Sequence, residues 1–117
     1  MNSTDPVFPK LAELGFNAPK IVEGRTSVAE LFGKRRCGVY VLHFANGEHY
    51  VGKSVNVVRR YMEHRHFFRD IHALSFKPVA RENAVSEEKT VTHDLEIHGT
   101  RLRNKENVTY SYGVKTP

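Results

Sequence analysis

The stretch that most constrains this chain runs from Cys37 to Gly52. CGVYVLHF is rich in β-branched and aromatic residues and reads as a strand. Ala45-Asn46-Gly47 is a turn signal, and EHYVG reads as the strand coming back. Two loops fit between them. A two-residue turn sets Ala45 opposite Glu48 and sends Tyr40 and Tyr50 to opposite faces. A three-residue loop, with Gly47 in the left-handed position of a G1 bulge, sets Phe44 opposite Glu48, Tyr40 opposite Gly52 and Leu42 opposite Tyr50. Both tyrosines then share one face. Strand tyrosines are ordinarily packing residues, and only the second register makes these two a pair.

Around the hairpin the pattern is helical. From Asn56 to about Asp70, the residues Val57, Tyr61, His64, Phe68 and Ile71 fall along one stripe. Leu74–Ala80 reads as a third short strand, with Pro78 marking an edge or the strand's end. A second helix is expected from about Asn83 to His98, stopped by Gly99. Upstream, roughly Pro9–Leu14 and Ser27–Phe32 are short helical candidates, the latter capped by Thr26 or Ser27 and stopped by Gly33. Val108–Gly113 has the composition of a further strand. The order β-β-α-β-α predicts an α+β domain with a small, mostly antiparallel sheet.

The chain has 117 residues, the size of one domain. No apolar run approaches the roughly 18 residues a membrane span needs, and MNSTDPVFPK is not a signal peptide. The expected compartment is the cytoplasm. A lone Cys37 excludes an internal disulfide and a cysteine-rich zinc site. Lysines and arginines number 18 against 13 acids, a net charge of +5. That balance suits a polyanionic partner such as nucleic acid, and equally an ordinary basic domain.

Chemistry enters with residues out of place. On the second helix Ala84, Val91 and Leu95 mark an apolar face, and Glu88 sits in the middle of it, whereas Glu87 lies about 100° away toward the edge. A carboxylate facing a core is costly unless paired, protonated or bound to a metal. Glu88 is therefore either half of a rim salt bridge or a metal ligand at the floor of a cleft. On the first helix Arg60 and His64 are i, i+4 neighbours bordering the apolar stripe. Arg60 reads as a snorkelling surface residue and His64 as a hydrogen-bonded core histidine. A guanidinium beside an imidazole is also what phosphate chemistry uses: a planar fork for two oxygens and a group that exchanges protons near neutral pH.

Gly38-Val39-Tyr40, about ten residues, then Tyr50-Val51-Gly52 resembles the signature of the GIY-YIG nucleases, with Val in place of Ile in both triads. Lys53-Ser54, Arg60, His64, a later helical Glu and a closing Asn follow in that family's order, across roughly residues 37–104. The ordered set is far more specific than either triad. The resemblance implies a three-stranded antiparallel sheet flanked by helices, preceded by a helical lead-in at 1–36 and followed by an extension at 105–117. It implies an endonuclease that hydrolyses DNA phosphodiester bonds with one Mg²⁺ or Mn²⁺ held mainly by Glu88. Tyr40, Tyr50, Arg60 and His64 map to its catalytic residues. Lys53, Ser54 and Asn104 (or its near neighbour Asn107) map to substrate contacts.

In that reading Arg60 stabilises the pentacovalent transition state, Tyr40 positions or deprotonates the attacking water, and His64 and Tyr50 orient phosphate or water. Lys34, Arg35, Arg36, Lys53, Arg59, Arg65, Arg101 and Arg103 are the candidates for gripping DNA. If four to six of them meet phosphates, log K falls with log salt at a slope of about −3.6 to −5.4. No helix-turn-helix or zinc finger is legible, so sequence specificity is expected from a further DNA-binding domain or partner outside this chain. Two rivals remain: a catalytically silent nucleic-acid-binding module of the same fold, and a zinc-binding domain built on histidines such as His64 and His66.

Overall fold

A computed structural model describes residues 6–103. In chain order the elements are α1 (Val7–Glu13), β1 (Lys20–Ile21), β2 (Gly38–Phe44), β3 (His49–Ser54), α2 (Val57–Phe67), β4 (Ile71–Pro78) and α3 (Ala84–Ile97), with 3₁₀ turns at Ala29–Leu31 and Arg81–Asn83. The fold is α+β, and its strands form one antiparallel sheet in the order β1-β4-β2-β3. β3 and β4 both run antiparallel to β2 and flank it, so α2 carries the chain across β2 from one to the other.

The sheet has four strands where three were expected. β1 pairs only Lys20 with Leu74 and Ile21 with Ala73, too few residues to leave a period in the sequence. It turns β4 into an interior strand. Pro78 therefore marks that strand's end, opposite Gly38, and not a sheet edge.

All seven residues of β2 are buried, because both faces of the sheet are covered. On one face Tyr40, Leu42 and Phe44 pack with Leu74 and Phe76 under Val57 and Tyr61 of α2 and under Val22 and Val28. On the other, Val39, Val41 and Val51 meet Val7 and Leu11 of α1 and Val91 and Leu95 of α3. Fully burying side chains such as Val91 and Leu95 contributes about 1.5–3 kcal/mol each. The lead-in thus shares both cores with the rest of the described chain.

The hairpin adopts the three-residue loop. Tyr40 pairs with Gly52 and Leu42 with Tyr50. Gly47, at φ 91°, donates its N–H to Phe44 O at 3.0 Å, a left-handed conformation that an L side chain would strain.

Other expectations shift. The first helix begins two residues earlier, at Val7. Ser27–Phe32 yields a single 3₁₀ turn, because Phe32 is extended (φ −126°, ψ 142°) so that its ring can meet Phe76 edge-on at 5.4 Å. α2 stops at Phe67, since Phe68 is extended and packs on Phe44 at 5.0 Å, and Ile71 opens β4 instead of continuing the helix. α3 matches its expected span within a residue at each end, and Gly99 follows it at φ 91°. Val108–Gly113, Asn104 and its alternative Asn107 lie outside the described residues. Among the described residues no helix is long and apolar enough to cross a membrane.

Candidate active site

β3 lies at an edge of the sheet. Its beginning is covered: His49 N–H donates to Arg101 O at 2.9 Å, and Arg103 N–H donates to His49 O at 2.7 Å. The other end, Gly52–Ser54, is where the candidate residues gather.

Tyr40 and Tyr50 share a face, as the register dictates, with ring centroids 6.3 Å apart and nearly parallel. The Tyr40 ring crosses the β3 backbone at Gly52. A Cβ built on Gly52 would lie 2.5 Å from Tyr40 Cζ and closer still to its Oη, so only glycine admits the ring. His64, one helical turn beyond Arg60 on α2, closes the cluster. Tyr40 Oη and His64 Nε2 share a hydrogen bond of 2.6 Å, and the Tyr50 ring meets His64 edge-on at 4.8 Å.

Burial sets the protonation states. Tyr40 is 2% exposed, and desolvation pushes its phenol far above the usual tyrosine range. The charges of Tyr50 and Glu88 add to the rise, while the Arg60 guanidinium opposes it. Tyr50 is raised by the same desolvation. His64 is pushed down to about 4, by desolvation first and then by Arg60, so it is neutral at pH 7. Arg60 forms a 3.0 Å ion pair with Glu63 in which both side chains are about half exposed (48% and 50%). Such a pair contributes roughly 0–1 kcal/mol, so a phosphate can take the guanidinium at little cost.

Glu88 approaches from the other face of the sheet, on α3. The two adjacent carboxylates separate cleanly. Glu87 is engaged by Lys77 at 2.5 Å, and Lys77 also donates to Leu14 O at 2.7 Å, tying α3 to the end of α1. Glu88 is half-buried, and among the described residues no side chain ion-pairs or hydrogen-bonds with it. Desolvation raises its pKa, and the charges of Lys53 and Lys89 pull it back. The rim salt bridge therefore belongs to Glu87. Among the described residues no group of three His, Cys, Asp or Glu converges to hold a metal. Glu88 offers one carboxylate, which fits a hard cation that keeps most of its water.

Beside this cluster a cleft of about 340 Å³ is lined by Lys53, Ser54, Arg59, Arg60 and Glu63, with Arg81 from the turn before α3. The tyrosine rings, His64 and Glu88 are not among its walls. Arg60 links the cleft to Tyr40, and Lys53 links it to Glu88. Ser54 has a local task as well, since its Oγ accepts from Asn56 N–H at 2.9 Å where the chain enters α2.

Two cations expected on DNA are committed elsewhere. Arg103 binds Asp70 (2.9 and 3.2 Å) and Glu48 (2.7 Å), with its guanidinium 3.5 Å from the centre of the Phe44 ring. Arg101 donates to Asn46 O at 3.2 Å. Sequence reading missed Arg81, which lies in a 3₁₀ turn with no period to betray it, and the partnership of Glu63 with Arg60, which the i, i+3 spacing offered.

Compared with protein-family models, with curated proteins and with solved structures, the chain finds no match.

Proposed function

We propose that this chain is a DNA endonuclease of the GIY-YIG type, hydrolysing phosphodiester bonds with Mg²⁺ or Mn²⁺ on Glu88. One observation carries the reading. Tyr40, Tyr50, Arg60, His64 and Glu88 come from four elements, and they bear on one another electrostatically at the open end of β3. Tyr40, Tyr50 and His64 also pack into an aromatic cluster with Phe68; what packing does not ask for is the guanidinium beside them and the unpaired, half-buried carboxylate on α3.

The scissile phosphate sits where Arg60 can leave Glu63 for its oxygens. Arg60 and Lys53 offset the charge of the phosphate, and Arg60 meets the extra charge that develops in the transition state. Loss of one such preorganised group typically costs about 10²–10³ in rate. Glu88 is the residue that would hold a divalent cation, which when bound would supply further charge neutralisation to the reaction.

Tyr40 is a neutral phenol and not a standing phenolate. It acts as a base only in concert. Its Oη takes a proton from the attacking water while its own proton passes to Nε2 of neutral His64. The oxygen–phosphorus bond to water forms, the bond to the leaving oxygen breaks, and that oxygen takes a proton from solvent. Tyr50 packs against His64 and Tyr40 and holds both in orientation.

The test uses supercoiled plasmid with the wild-type chain and Glu88→Ala, in Mg²⁺, Mn²⁺ or EDTA. Metal-dependent nicking or linearisation that Glu88→Ala abolishes is the expected result. A folded protein that binds DNA and never cuts it would replace this reading with the silent binding module.

A further inference from the structure

A second depression of about 340 Å³ adjoins the cleft beside Arg60, and the two share Cys37 and Val55 as walls. Backbone hydrogen bonds build the junction. Val57 N–H donates to Arg36 O at 2.8 Å, and Val79 N–H donates to Cys37 O at 3.1 Å. The segment carrying Lys34 and Arg35 is thereby fixed between the first turn of α2 and the end of β4, and the two depressions form one trough.

The trough combines two surfaces that a duplex does not use together. Among its mixed walls stand exposed apolar side chains: Val55 and Val85 are 53% and 51% exposed, and the partly buried Val79 lines the second depression. Its rim is cationic, with Arg59 and Arg81 beside the cleft and Lys34 and Arg35 farther along. Among the described residues none of these four cations is ion-paired. A continuous duplex presents phosphates and groove edges outward and gains little from these valines. A single strand can lay base faces and sugars against them by apolar contact, without aromatic stacking, while its phosphates reach cations on the rim.

We propose that this trough holds a single-stranded arm of the DNA substrate. The arm leads away from the phosphate at Arg60, so the favoured substrate is a flap, overhang or branch and not an unbroken duplex. The assignment of the scissile phosphate to Arg60 rests on the nuclease reading; the occupancy of the trough does not.

Binding is measured by fluorescence anisotropy in EDTA, where cutting is blocked. The probes are a blunt duplex, a single strand of equal length, and the duplex carrying a single-stranded arm. The armed duplex and the single strand are expected to bind about tenfold more tightly than the blunt duplex. Val55→Ser with Val85→Ser should remove most of that advantage while leaving blunt-duplex affinity and the melting temperature near wild type. Arg35→Ala with Arg81→Ala should flatten the salt slope for the single strand by about 1.4, or about 0.7 per lost phosphate contact. Equal or tighter binding of the blunt duplex overturns the proposal, as does a serine pair that weakens all three probes alike. Arm preference in a protein that never cuts DNA supports the trough and sinks the nuclease reading. Cutting without arm preference does the reverse.

Discussion

Gly52→Ala tests the site at its tightest point. The new methyl would sit 2.5 Å from Tyr40 Cζ and 3.0 Å from Cε1, where carbon contacts are comfortable near about 3.5 Å. Either the ring or the β3 backbone must move by about 1 Å. Tyr40 is buried among close neighbours, so overpacking costs about 1–3 kcal/mol. Losing the 2.6 Å hydrogen bond to His64 adds about 0.5–1.5 kcal/mol. The gain from replacing glycine within a strand returns about 0.5–1 kcal/mol. The net destabilisation is about 0.5–4 kcal/mol, a fall in melting temperature of about 2–20 °C. On the proposed role of Tyr40, a shift of that size should also lower the rate by about 10²-fold. Thermal melts by circular dichroism and plasmid nicking read the two effects separately. The decisive comparison is with Tyr40→Leu, whose shorter side chain ends before the clash. In that background the cost of Gly52→Ala should shrink by about 1–2 kcal/mol. An unchanged melting temperature for Gly52→Ala, or the same cost in both backgrounds, would show that the glycine does not exist to admit the ring.

Two further perturbations separate structural from functional charge. Arg103→Ala removes the pair with Asp70 and the cation over Phe44, so stability should drop by about 1 kcal/mol and more at low salt. The salt slope of DNA binding should not change, and a flatter slope would return Arg103 to the DNA-contacting set. Acid should destabilise the fold through His43, which is buried, hydrogen-bonded to Ser75 at 2.7 Å, and faced by His49 and His72. Desolvation, followed by those two histidines, lowers its pKa from 6.5 to about 3. Between those values the unfolded chain binds the proton and the folded one does not. This stability is therefore complete above pH 6.5 and is lost as pH falls, by about 2 kcal/mol at pH 5. Urea titrations of wild type and His43→Gln should diverge over that interval, and parallel curves would refute the assignment.

The sequence spoke clearly where one element carried the signal. The hairpin residues fixed both strands, although two loops fitted until the backbone chose the three-residue one. The period on α3 isolated Glu88 from Glu87, and the structure gives that distinction its cause: Lys77 takes Glu87. What stayed hidden was long-range pairing. β1 is two residues long and exists only because β4 lies beside it. Arg103 looked like one more DNA cation because nothing local ties position 103 to 48 or 70. The paired glycines were visible as letters but not as two different necessities. At Gly38 a Cβ would lie 2.9 Å from the backbone nitrogen of Val79, so the close approach of β4 demands the glycine; at Gly52 the Tyr40 ring does.

The charges around Glu88 yield a prediction of their own. Lys53 and Lys89 act on the Glu88 carboxylate, and Lys53 also lines the cleft with Arg59, Arg60, Arg81 and Glu63. Lys53 therefore plays two opposed parts. Its charge acts on Glu88, where it would weaken a cation's binding before substrate arrives, and it lines the cleft proposed to receive the phosphate. Lys53→Gln should bind Mn²⁺ severalfold more tightly in the absence of DNA, measured by the loss of free Mn²⁺ signal in electron paramagnetic resonance. The same variant should bind DNA less tightly and cut it more slowly. If Mn²⁺ affinity falls or stays constant in Lys53→Gln while Glu88→Ala abolishes it, Lys53 is not competing for that carboxylate and the charge argument fails.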